Sequence, residues 1–310
     1  MRIGVLVGAS LPYGGGLEKL VADARRAERH GLHAVWIVHA HGLDALTAAA
    51  ILGQETRHIT IGTAVVPTCA RHPIAMAQQA LTVQAATAGR FVLGIGVSHQ
   101  DNVQERYGLS YARPLTHMRE YLAVLAPLVR SGTCAFAGSQ YRVNATVRVP
   151  GATPCPILLA ALAPKMLALA GSVGDGTIAW MSGPRTLREY VIPRIRDAAA
   201  SAGRPLPRVV AGFPIALADD VDRARQVAAA TFHVYGTKPA YRAMLDREGA
   251  AGPADIALVG DEDAIGEALD GLAELGVTDF LAAPFVAETD ADASLERTFR
   301  VLGEWAARGQ

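Results

Sequence analysis

This 310-residue chain is poor in cysteine, in excess charge and in long apolar runs, and each shortage excludes a class of function. Cysteine occurs only at Cys69, Cys134 and Cys155, an odd number without close pairing or metal-ligand spacing. No disulfide framework is expected, and a reducing cytoplasm is the expected compartment. The 29 basic and 29 acidic side chains cancel, which argues against a nucleic-acid or polyanion partner. No stretch of about 18 apolar residues is present, and Met1-Arg2 leads straight into Ile3-Gly4-Val5-Leu6-Val7 without the pattern of a signal peptide. No membrane partner is expected. Lysine is restricted to Lys19, Lys165 and Lys238, so arginine carries nearly all the positive charge.

What the chain does have is alternation. Hydrophobic residues make up 51%, with 31 glycines and 17 prolines, which is a globular composition. Short apolar runs rich in Val, Ile and Leu predict strands over 3–8, 34–38, 59–66, 91–97, 156–162, 176–181, 208–217 and 279–285. Phe91-Val92-Leu93-Gly94-Ile95 is apolar throughout, as a sheet buried on both faces requires. Amphipathic patterns predict helices over 17–30, 44–56, 74–88, 115–130, 164–172, 185–201, 220–235, 261–275 and 293–307. Eight strands, each followed by a helix, predict a closed (βα)8 TIM barrel occupying 1–310 as one domain. A doubly wound open sheet would use the same alternation. Strand 1, however, is followed by Gly14-Gly15-Gly16 rather than G-x-G-x-x-G, and the count of eight favours the barrel. A hairpin is predicted within 132–155, inserted between helix 4 and strand 5, and an extra helical segment within 231–258.

In such a barrel the reacting groups lie at the C-terminal ends of the strands. His39-Ala40-His41 after strand 2 has the alternation of a metal-binding pair. Yet no histidine occurs between His117 and His233, so strands 5 and 6 supply no imidazole, and no metal is expected. G-x-S-x-G is missing, and the adjacent Ser98 and His99 point apart, which disfavours a serine nucleophile. Cys69 with His72 has no orienting partner. The strand ends are instead small: Thr63 and Ala64, Gly94 and Gly96, Ala160, Ala161 and Ala163. A mouth lined this way admits a flat, wide ligand, or simply lets strands and helices pack closely. Pro164 and Lys165 open a helix whose N-terminus suits a phosphate.

Several motifs in order resemble the bacterial luciferase-like superfamily, within it the branch that uses the deazaflavin coenzyme F420. They are Ala27-Glu28 with Gly31 to Trp36, Ile61-Gly62-Thr63-Ala64-Val65-Val66-Pro67-Thr68 with Arg71-His72-Pro73, and Gly89-Arg90-Phe91-Val92-Leu93-Gly94-Ile95-Gly96. Ala160 to Pro164, Asp175-Gly176 with Trp180, and Leu258 to Phe280 complete the series. The resemblance implies a (βα)8 barrel, a homodimer, and a ring seated at the C-terminal mouth. It implies a non-prolyl cis peptide at Thr63-Ala64. It also implies cofactor contacts from Val38, Thr63, Ala64, Val65, Gly96, Val97, Ser98, His99, Ala160, Ala161, Leu162 and Ala163.

The implied activity is hydride transfer between F420 and a small organic substrate, with His39 and His99 as candidate acid–base residues, since imidazole titrates near neutrality. The alternatives are an FMN-dependent monooxygenase served by a separate flavin reductase, and a flavin-binding barrel without turnover. An F420 reductase is the corresponding partner of the first reading. The chain departs from the deazaflavin-dependent sugar-phosphate dehydrogenases of the superfamily, which have Asp-His where His39-Ala40 stands and Glu where His99 stands. Ala163 also replaces the usual glycine.

Overall fold

The computed structural model describes residues 1–8 and 16–308; Gly14 and Gly15 of the predicted strand 1 loop lie outside them. Among the described residues, eight parallel strands follow one another around a closed barrel. They are β1 (Arg2–Val7), β2 (Ala34–Ile37), β3 (Thr60–Thr63), β4 (Phe91–Gly96), β5 (Ile157–Leu159), β6 (Gly176–Trp180), β7 (Arg208–Leu217) and β8 (Asp279–Pro284). β8 returns to β1 with Arg2 beside Asp279 and Val5 beside Ala282. Closure leaves no unpaired sheet edge around the ring.

Helices between the strands begin where the sequence supplies a cap. Asp44 accepts from the Thr47 amide at 2.9 Å, Asp261 from Ala264 and Asp290 from Ala293 in the same manner. Pro73, Pro114, Pro164 and Pro239 each sit in the first turn of their helices, where a missing N–H is harmless. Gly132, at φ 80°, closes the helix Pro114–Ser131 in the left-handed conformation.

The barrel interior is filled by Trp36, Val92, Leu158, Ile178, Val210 and Leu281, capped on one side by Leu6, Ala64 and Val65. Trp36 fits because β1 and β3 carry glycine where its ring lies. A Cβ at Gly4 would stand 2.7 Å from the indole Nε1, and one at Gly62 would overlap the ring.

The N-terminal face is held by ionic clamps. Glu28 accepts from the amides of Arg57, His58 and Ile59 at 2.7–3.1 Å, which holds its carboxyl below the usual range despite partial burial. Arg90 donates to the carbonyls of Thr56 and Ile59 in the same loop and of Gly53 in the helix before it. Asp279 is bidentate to Arg208 at 2.5 and 3.1 Å. These motif residues therefore set the barrel's base and stand away from its mouth.

Three details differ from the sequence pattern. The predicted strand 59–66 is interrupted after Thr63 and rejoins β4 at Val66–Pro67, because Ala64 and Val65 are pushed inward. The predicted strand 156–162 stops at Leu159, where the chain turns toward the helix Pro164–Ser172. A short strand Leu258–Gly260, not foreseen, adds to the outer end of the ten-residue β7. Thr133–Ala137 and Arg142–Thr146 form an antiparallel pair, and Pro239–Glu248 is a helix. Among the described residues no helix is long and apolar enough to cross a membrane.

Candidate active site

A cavity of about 1200 Å³ opens at the C-terminal ends of the strands. Ligand pockets commonly enclose about 300–1,000 Å³, so this one lies just above the wide end of that range. Its base is Leu6, Ala64, Val65, Ile178 and Leu281, the upper layer of the barrel interior.

Ala64 and Val65 reach the cavity through the break after β3. The peptide between them is cis. The resemblance had placed that bond one residue earlier. Thr63 ends β3 and the Ala64 amide still donates to the Ile37 carbonyl at 2.9 Å, so the reversal falls after Ala64. Thr63 itself is fully buried, and its hydroxyl bonds both the amide and the carbonyl of Gly94 at 2.8–2.9 Å. It positions β4 against β3 and does not line the cavity.

The end of β4 supplies the next wall: Gly96, Val97, Ser98 and His99. Gly96 is required by closeness, since a Cβ there would meet Val65 Cγ2 at 3.0 Å and Ala160 Cβ at 3.2 Å. Ser98 adopts φ 64°, a conformation uncommon for a residue with a side chain and costing of order 1–3 kcal/mol. The Tyr111 hydroxyl donates to its carbonyl at 3.1 Å and helps hold it. Val38, Ala160, Leu162 and Ala163 also line the cavity, whereas Ala161 is 1% exposed and faces the core, as alternation along an extended segment dictates.

The two candidate histidines part company. His99 borders the cavity with its ring edge-on to Tyr241, centroids 5.2 Å apart. Burial and the Lys238 ammonium push its pKa below that of free imidazole, and Asp101 opposes them. His39 is not among the lining residues. Its Nδ1 faces the Ala45 amide at 3.3 Å, beside Asp44 and Arg71, where it helps start the helix Ala45–Glu55. His41 turns elsewhere, toward Arg106 at 2.8 Å. Even spacing along the sequence thus fails to bring the two rings together, because the segment after β2 does not continue as a strand.

The outer wall combines Trp180, at a strand end where pocket-lining groups are expected, with two tyrosines of the 231–258 segment that the sequence did not single out. Tyr235 and Tyr241 come from the helices Val221–Thr237 and Pro239–Glu248, Trp180 from the end of β6. Their rings meet edge to face, Trp180 with Tyr235 at 5.5 Å and Tyr235 with Tyr241 at 5.4 Å. Gly212 on β7 makes room for the indole, since a Cβ there would stand 2.7 Å from its Cε3. The available signal was the cluster of aromatics in the irregular 231–258 segment.

Comparison with known proteins agrees with this geometry. A Mycobacterium tuberculosis protein, provisionally named a coenzyme F420-dependent oxidoreductase, is 32% identical over 209 residues, covering 61% of this chain and 59% of that protein. The chain therefore spans about three-fifths of that relative's length. The structure of the coenzyme F420-dependent tetrahydromethanopterin reductase of Methanopyrus kandleri superposes with a TM-score of 0.80 at 19% identity, over 100% of this chain and 98% of that one. A monooxygenase of Streptomyces bottropensis superposes with a TM-score of 0.78 at 20% identity, over 100% and 99%. These two establish the shared barrel. The family model described as luciferase-like monooxygenase matches residues 1–279, and the chain, with its broken third strand and open mouth, belongs to that family.

Proposed function

We propose that the protein is a coenzyme F420-dependent oxidoreductase that moves a hydride between the deazaflavin and a small organic substrate, an alkene, an imine, or an alcohol–carbonyl pair. The observation that carries this reading is the cavity's make-up. It is wide and largely apolar, small side chains and backbone at Ala64, Val65 and Gly96 line it, and the His99 imidazole borders it. The name of the mycobacterial relative supports the choice of cofactor.

The residues present fit such a group. A flat ring would lie on Ala64 and Val65, with Gly96 and Ser98 along its edge. Ala160, Leu162 and Ala163 would carry its side chain toward the start of the helix Pro164–Ser172, where Lys165 and the helix terminus favour a phosphate. The deazaflavin, when bound, supplies two-electron hydride transfer, and the protein supplies orientation and a dry environment. His99, kept neutral by burial and by Lys238, is able to accept a proton from a substrate hydroxyl at a ring nitrogen. The apolar base excludes water and holds the substrate against the ring face.

A homodimer and an F420 reductase belong to the same proposal. The competing reading is an FMN-dependent monooxygenase with a separate flavin reductase, and the third is a flavin-binding barrel without turnover. Parallel fluorescence titrations of the purified protein with oxidised and reduced F420 and with FMN separate them. Preferential binding of F420 followed by turnover supports the proposal. Preferential binding of FMN moves the assignment to oxygen chemistry, and binding without any turnover supports the third reading.

A further inference from the structure

Tyr235 and Tyr241 are the least explained polar groups around the cavity. Both side chains are half-buried and line it. Neither hydroxyl has a hydrogen-bond partner among the described residues, although other tyrosines near the mouth do. Tyr111 donates to Ser98, and Tyr190 donates to the Leu162 carbonyl at 3.0 Å. Nor are the two hydroxyls sealed away like that of Tyr121, which is buried and unpaired. They remain accessible, and the open space beside them is the cavity. Burial holds both phenols above their ordinary pKa, so each keeps its proton and remains a donor across the working pH range.

The charges around the cavity point to the kind of molecule these donors serve. Among the described residues, four acidic or basic side chains border it: Asp101, Glu105, Lys165 and Lys238. Lys238 is hydrogen-bonded to Asp101, so its charge is already matched. The remaining two are of opposite sign, which leaves no surplus positive charge for an anionic substrate. The wall beside the phenols is aromatic, with Trp180 joining Tyr235 and Tyr241.

We infer that Tyr235 and Tyr241 form the substrate's oxygen-binding site, and that the substrate is a neutral, mainly apolar molecule carrying a ketone or alcohol oxygen. This rests on the oxidoreductase reading above and narrows its substrate class. The aromatic wall holds the apolar body, the phenols donate to the oxygen, and the oxygen is thereby kept within reach of His99, against which Tyr241 packs. A buried donor left without its acceptor is penalised, so the site discriminates against a hydrocarbon of the same shape.

The test uses acetophenone, ethylbenzene and benzoate as probes, three molecules of similar size differing in oxygen and charge. Their binding to the purified full chain is followed by calorimetry, with and without F420. Acetophenone is expected to bind more tightly than either of the others. Tyr241→Phe and Tyr235→Phe should each weaken acetophenone by about 3- to 10-fold, the worth of one neutral hydrogen bond, and leave ethylbenzene unchanged. F420 affinity, read separately by its own fluorescence, should stay as in the wild type. Equal loss for acetophenone and ethylbenzene, no loss for acetophenone, or preference for benzoate would each overturn the inference. If F420 fails to bind the wild type while the acetophenone pattern holds, the cofactor reading falls and the phenol site stands.

Discussion

Lys238 and Asp101 are joined across the mouth of the barrel, one from the residue before the helix Pro239–Glu248 and the other from the loop that follows β4. The pair ties the 221–248 helices to the segment after β4 that carries His99. It also places two opposite charges near one imidazole, and their effects on its titration have opposite signs.

Lys238 disfavours imidazolium, so Lys238→Met should raise the His99 pKa, and the now uncompensated Asp101 should raise it further. Asp101→Asn should lower it. If neutral His99 accepts the substrate proton, activity is lost as pH falls through its pKa. The acid limb of kcat/KM should therefore move to higher pH in Lys238→Met and to lower pH in Asp101→Asn. NMR titration of the His99 ring checks the same signs without any turnover. Movement of both variants in one direction would remove the electrostatic account.

The two histidines should also respond differently to replacement. His99→Gln removes the group bordering the cavity, and a loss of about 100-fold or more in kcat is expected of a general base. His39→Gln alters the start of the helix Ala45–Glu55, where Asp44 already supplies a cap. It should lower Tm slightly and leave F420 affinity and kcat within about 3-fold, given the about 0.5–2 kcal/mol scale of capping interactions. A loss in His39→Gln matching that of His99→Gln would show that His39 reaches the reacting atoms.

Gly94 provides a stability test near the site. A Cβ there would overlap the carbonyl oxygen of Thr63, and backbone cannot swing aside as a side chain can. Thr63 is itself bonded to Gly94 on both its amide and carbonyl. Gly94→Ala should therefore destabilise by about 3 kcal/mol, the upper part of the usual overpacking range, seen as a lower midpoint in denaturant. Gly271→Ala, on an open helix surface, is the control and should be neutral or mildly stabilising.

The barrel was legible because its strands are apolar on both faces and its helices carry periodic polar faces. That is why all eight strands fall where their Val, Ile and Leu runs place them. The site was legible in part. Gly96, Ser98, His99 and Ala160 lie at strand ends, and the architecture alone sends strand ends to the mouth. Thr63 and Ala161 are buried away from the cavity because pointing into the cavity or into the core depends on a one-residue alternation at a broken strand. His39 stands beside a helix start and off the cavity lining because a turn after β2 carries it there. Tyr235, Tyr241 and Lys238 come from a segment outside the βα repeat, so no periodicity announced their place over the cavity.

The same separation of structural from chemical roles predicts how the protein responds to acid. Glu120, on the helix Pro114–Ser131, accepts from the amides of Ser139, Gln140 and Tyr141 and from the Ser139 hydroxyl at 2.7–3.1 Å. It thereby holds the turn of the hairpin formed by Thr133–Ala137 and Arg142–Thr146. These donors favour the carboxylate and lower its pKa to about 2. A carboxyl whose folded pKa is depressed contributes stability that is complete above its unfolded value, 4.5, and lost as pH falls toward 2. Glu120→Gln keeps the size of the side chain but exchanges one acceptor oxygen for a donor. It should lower Tm at pH 7, and the gap to the wild type should narrow as pH drops from about 5 toward 2. Thermal unfolding at a series of pH values measures this. A gap that stays constant across that window would mean that the carboxylate's charge contributes nothing to holding the hairpin.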